Sequence, residues 1–221
     1  MKNVIKMTLA DQIYTILRED IINQTIKCGE KLTLNALQER FAISSTPIRE
    51  AMKRLSQEGL IEHVTNVGAK VIEINAKEIQ EIYDLCSILD SGALKLALSS
   101  NQKKSFIFDL ILSIELQEDS LKAGDMAKFK LHSDDFHDIF YRYADNSRLY
   151  SATQKLRSQL SILTTIYQSF TVAWSVVLSE HKSIVEAIQN ECYDEAVCLL
   201  SQHFEHAKTY LLDNIKNNNT D

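Results

Sequence analysis

The sequence predicts a mainly α protein: an N-terminal winged helix-turn-helix followed by an all-helical bundle of about six helices. Three observations carry this. Apolar residues recur at helical spacing along most of the chain. The 221 residues include only five glycines and one proline, too few for a turn-rich β fold. The one pair of strand-like runs is confined between Leu60 and Glu73. An apolar content of 45% with 24% charged residues is a globular balance that excludes a disordered or fibrous chain. The expected organisation is a winged helix-turn-helix domain over 1–74, a helical domain over 75–216 and a disordered tail over 217–221.

The first helix is marked by Leu9, Ile13, Leu17 and Ile21. Thr8 and Asp11 resemble a capping box, and Cys28-Gly29 is expected to break the helix. A second helix over about Leu34 to Phe41 places Leu34, Leu37 and Phe41 on one face. Ala42-Ile43 turns into a third helix whose first turn holds Pro47, where a missing N–H costs nothing, with Ser44 or Thr46 as cap. Ile48, Met52 and Leu55 form its buried stripe, and Gly59 ends it. Leu60–Val64 and Ala69–Glu73, around Thr65-Asn66-Val67-Gly68, read as a hairpin. Beyond Ala76 the pattern is helical throughout. Ile79 to Ala97 keeps the spacing for about six turns, and further helices are expected near 102–122, 125–144, 147–170, 179–190 and 192–214.

Charge divides the chain as the elements do. Residues 1–74 carry 10 Lys+Arg and 9 Asp+Glu, and residues 75–221 carry 14 and 21, within a total of −6. A near-neutral head on an acidic body leaves room for a local basic patch. The four cysteines form no CxxC pair or framework and read as reduced thiols. The N-terminus lacks an apolar signal core, and the uncharged stretch Ser158–Ser179 has only 12 apolar residues of 22, so it reads as a buried helix and its exit loop. A cytoplasmic protein with no membrane partner is expected.

In a helix-turn-helix, residues near the start of the second helix of the motif reach base edges in the major groove. Arg49 stands there, and its guanidinium matches the N7 and O6 acceptors of guanine. Ser44, Ser45 and Thr46 offer hydroxyls and first-turn N–H groups to phosphate or bases. Arg40, Lys53 and Arg54 suit phosphate, and Lys70 and the wing tip suit the backbone or minor groove. A single arginine on a helix is usually a solvated group, but here the motif, the proline and the wing coincide.

The run LTLNALQERFAISSTPIREAMKRLSQEGLIE, followed by a wing glycine at Gly68, resembles the N-terminal domain of GntR-type bacterial transcription regulators over residues 8–74. The resemblance implies that Arg49 contacts operator bases, supported by Arg40 and the wing. Ser45 replaces a usual second arginine, Ala42 a usual glycine and Cys28 a usual proline. The helical part resembles the FCD-type ligand-binding domain of the FadR-like branch, in its six-helix form. That resemblance implies a metal, zinc or nickel first, held by His137, His181 and His203 with one aspartate. Imidazoles from three helices of a bundle can converge on such an ion. The family's aspartate position is Ser133 here; Asp134 is the nearest substitute, and His132 lies too far round its helix. The resemblance also implies an effector pocket, where Cys86 stands in place of arginine and Asp90 in place of glutamate. Cys86 is most simply packing, and Arg142, Arg148 and Arg157 are candidate replacement charges.

Together these imply a ligand-responsive regulator that reads a palindromic double-stranded DNA operator as a homodimer, with a small-molecule effector such as an organic acid. One alternative is a regulator whose helical domain only dimerises. The other is a metalloenzyme, for which no general base stands beside the histidines and which leaves the head unexplained.

Overall fold

A computed structural model describes residues 7–64, 68–168 and 173–218. Its described residues form two compact units, one of residues up to Asn75 with Gln154–Ile162, the other of Ala76–Thr153 with residues from Leu163 onward.

The first unit opens with α1 (Leu9–Ile22), where Thr8 and Asp11 close the expected capping box. The helix stops at Ile22 and not at Cys28-Gly29. Asn23 caps it and Gln24 turns left-handed, with φ 58°, which brings Ile26 back into the core. A two-residue strand that the sequence pattern did not reveal, β1 (Lys31–Leu32), precedes α2 (Leu34–Phe41) and α3 (Ser45–Gln57). Ile13, Leu17 and Ile21 of α1 bury against the α3 stripe of Ile48, Ala51, Met52 and Leu55. On α2 only Leu37 is fully buried; Leu34 and Phe41 are half-buried. Ser44 takes the cap position of α3, but its hydroxyl makes no cap hydrogen bond. Gly59 ends α3 as expected, at φ +70°, with Leu60 N–H on the Leu55 carbonyl and Gly59 N–H on that of Ser56.

The wing strands β2 (Ile61–Val64) and β3 (Gly68–Val71) pair antiparallel, and β1 adds to the far edge of β3 in the order β1-β3-β2. Leu32 faces Ala69 and Lys31 faces Lys70. At Gly68, φ is +111° and a Cβ would come within 2.9 Å of the Leu32 carbonyl oxygen. The wing glycine therefore admits the third strand. The wing tip Thr65-Asn66-Val67 lies outside the described residues.

The described elements of the second unit are all helices: α4 (Ala76–Leu98), α5 (Lys103–Lys122), α6 (Met126–Tyr143), α8 (Ala173–Gln189), α9 (Tyr193–Asn218), and the parts of α7 (Ser147–Gln168) that belong to it. α5 lies along α6, α4 along α9 and α6, and α8 along α9 and α5, around Phe106, Phe129, Phe136 and Phe140. α8 begins at Ala173, six residues before the expected start, because Trp174 packs edge-on to Phe129 at 4.9 Å and Val177 and Leu178 are buried. Of the tail, α9 takes residues up to Asn218, and the rest lies outside the described residues. No helix among the described residues is long and apolar enough to cross a membrane.

Ala42 caps α2 in the left-handed region, at φ 53° and ψ 41°, where a Cβ crowds the following carbonyl. Its side chain is exposed and has no packing to lose. Ala42→Gly should stabilise the protein by about 0.5–1 kcal/mol, read as a higher urea midpoint at an unchanged slope.

Candidate functional site

Two constellations emerge, one in each unit. In the first, α3 buries one face against α1 and leaves Thr46, Arg49, Glu50, Lys53 and Gln57 exposed. Spacings of three and four residues place them on a single ridge. Arg49 and Lys53 have no ion-pair partner among the described residues. Glu50 and Gln57 share the ridge, which the apolar pattern alone did not single out, since exposure on that face only becomes plain once α1 covers the other. Ser44 and Thr46 are exposed and Ser45 half-buried at the start of the helix.

The other basic residues expected at DNA, Arg54, Arg40 and Lys70, are engaged. Arg54 is turned away from the ridge: it pairs with Asp11 at 2.6 Å and lies 3.8 Å over the Tyr14 ring, so it ties α3 to α1. Arg40 pairs with Asp20 at 2.6 Å and stacks on Phe41. Lys70 pairs with Glu73. Tyr14 donates to Glu58, and burial together with that carboxylate pushes its hydroxyl up to about 12. Gly68 is exposed at the base of the wing.

In the second unit, His137 of α6, His181 of α8 and His203 of α9 converge. One ligand atom from each lies within 4.8 Å of the others, and ring centroids are 4.8 to 5.3 Å apart. His181 is fully buried and stacks on Phe136 at 4.0 Å. Each Nδ1 has an outer partner: Asp90 Oδ2 for His137 at 2.8 Å, Gln117 Oε1 for His181 at 2.8 Å, and Glu180 Oε2 for His203 at 2.7 Å. Burial, then the charges of the other two imidazoles, push His181 well below the ordinary imidazole value. Burial also lowers His203, against the pull of Glu180. Burial alone would raise Glu180, but hydrogen bonds from His203 and His206 bring it down.

These groups fit a transition metal. Neutral imidazoles are the ligand form. With each Nδ1 occupied, each Nε2 is left for an ion, and that of His181 is buried with no hydrogen-bond partner. Such an orphan costs about 1–3 kcal/mol unless something binds it. Asp134 does not belong to the group. It pairs with Lys130 at 2.6 Å, half-exposed on the flank of α6, and is not among the grouped ligand atoms. Ser133, one turn before His137, is buried. On α4, Cys86 is buried; Asp90, expected beside it in an effector pocket, spends one oxygen on His137 and the other on the Tyr141 hydroxyl at 2.6 Å. Gln117 and Glu180 were not evident from the sequence: Gln117 lies 64 residues from His181, and Glu180, although next to His181 in the chain, holds His203, 23 residues on.

Comparison with known proteins assigns a family to each part of the chain. Residues 9–71 match the family described as bacterial regulatory proteins, gntR family, and residues 81–206 match the FCD domain. The gluconate operon transcriptional repressor of Bacillus licheniformis is 28% identical over 198 residues, 86% of this chain and 79% of that protein. The HTH-type transcriptional regulator YdhC of Bacillus subtilis (strain 168) is 25% identical over 197 residues, 88% and 87% of the two chains. The solved structure of E. coli McbR/YncC shares the fold, with a TM-score of 0.78 at 17% identity, over 95% of this chain and all of that one.

Zinc added to metal-free protein should raise its melting temperature, and His181→Ala, which removes the orphaned nitrogen, should abolish the rise. An equal rise in both proteins would place the ion elsewhere.

Proposed function

This chain belongs to the GntR family of transcriptional regulators and carries an FCD domain, and from that premise we propose that it is a cytoplasmic, ligand-responsive homodimer that reads a palindromic DNA operator. The observation that supports DNA reading best is the exposed ridge of α3, on which Arg49 and Lys53 stand unpaired while Arg54 and Arg40 are tied to α1. Arg49, close to the start of α3, is the base reader, suited to a guanine edge; Thr46 and the hydroxyls of Ser44 and Ser45 position the helix start on phosphate. Lys53, one turn further on, supplies charge to the backbone, and Lys70 with the Gly68 wing supports it from the side. Two-fold symmetry of the dimer matches the operator's palindrome.

The helical domain binds the effector, a small organic acid being the class the family resemblance favours, and holds a zinc or nickel ion through His137, His181 and His203. The buried, partnerless Nε2 of His181 supports the ion. When bound, the ion supplies a Lewis-acidic positive centre in an otherwise acidic domain. Effector and operator affinities are then coupled reciprocally: whichever ligand prefers one conformation of the protein shifts the affinity for the other.

The test uses a duplex selected from a random-sequence pool by the full-length protein. Arg49→Ala should weaken specific binding by roughly 1–3 kcal/mol and relax preference at one base. Lys53→Ala should weaken binding to all sequences alike and reduce the slope of affinity against salt by about one. An unchanged titration with Arg49→Ala overturns the reading of α3.

A further inference from the structure

The outer partners of the three histidines sit on α4, α5 and α8, and the direction of their hydrogen bonds follows from the acceptors at the ends. Ser113 Oγ donates to the His132 carbonyl at 3.2 Å, and a carbonyl only accepts. The same oxygen is therefore free to accept from Gln117 Nε2 at 3.3 Å, which turns Gln117 Oε1 toward His181. His181 must then donate from Nδ1, and its lone pair lies on Nε2. Carboxylates impose the same tautomer on the other two. Asp90 accepts from His137 and from the Tyr141 hydroxyl, one on each oxygen. Glu180 accepts from His203 and His206, each at 2.7 Å. Residue 133, one turn before His137, is a serine and contributes no charge.

We propose that Asp90, Gln117 and Glu180 are positioning residues that make all three Nε2 atoms the ligand atoms, and that Asp90 and Glu180 balance a divalent cation from one hydrogen bond outside its coordination sphere. This rests on the metal reading above. It assigns Asp90 to the histidine shell and not to the effector, and it divides the three partners by kind. Gln117 orients without charge, whereas the two carboxylates orient and also place negative charge one hydrogen bond from the ion. An all-imidazole ligand set with its balancing charge held outside is the arrangement the geometry points to.

The experiment titrates zinc into metal-free, full-length protein in competition with a chromophoric chelator, and records the visible spectrum of the cobalt(II) form. Asp90→Asn and Glu180→Gln should each weaken zinc by about 10–100-fold at unchanged stoichiometry and shift the cobalt bands, while the metal-free melting temperature stays near that of the wild type. Gln117→Glu, which adds charge at the orienting position, should tighten zinc. Zinc affinity within about twofold of wild type in both Asp90→Asn and Glu180→Gln, with His203→Ala still abolishing binding, overturns the positioning role alone. Failure of the wild-type protein to bind zinc or cobalt overturns the metal reading beneath it.

Discussion

The helical unit is organised around three imidazoles whose outward nitrogens are already committed. Each commitment ties two helices: Asp90 of α4 to His137 of α6, Gln117 of α5 to His181 of α8, and Glu180 of α8 to His203 of α9. Polar groups this deep in a bundle are costly unless satisfied, and a network satisfied only on its outer side leaves a cost at its centre. That residual cost falls on the His181 Nε2. The interior thus carries one unsatisfied polar nitrogen at its centre, while Phe106, Phe129, Phe136 and Phe140 supply the apolar burial that tolerates it.

In the first unit the comparable constraint is the face α3 shows to α1. Ile48, Ala51, Met52 and Leu55 must be covered, and Arg54 is drawn into the same contact by Asp11 and the Tyr14 ring. Once those are fixed, the helix can present only Thr46, Arg49, Glu50, Lys53 and Gln57 outward. Four basic residues of similar composition, Arg40, Arg49, Lys53 and Arg54, thereby divide into two that hold the unit together and two that face outward. The near-neutral balance of the head conceals this, because the acids that pair with Arg40 and Arg54 lie on α1 and leave the ridge to its own charges.

The departures from the family pattern fall into place unevenly. Ala42 occupies a left-handed cap that a glycine would fill without strain. Ser133 leaves the histidine cluster without an inner carboxylate, and Asp90 and Glu180 stand just outside it. Cys86 packs on the inner face of α4.

Much of the architecture was legible in the order of residues alone. Helical spacing, the capping box at Thr8, Pro47 in a first turn, Gly59 at a helix end and the two strands of the wing are local signals, set within a few residues by backbone geometry and side-chain pattern. The three histidines were legible too, through the family motifs around them. What the chain order did not disclose involves partners far apart along it. β1 exists only because β3 passes beside it, α8 starts early only because Trp174 meets Phe129, and Arg54 leaves the exposed ridge of α3 only because Asp11 is near. Gln117 and Glu180 became part of the histidine cluster in the same way, 64 and 23 residues from the rings they hold. A hydrogen bond is decided by distance and direction in space, and neither is written into sequence separation once a chain has folded back on itself.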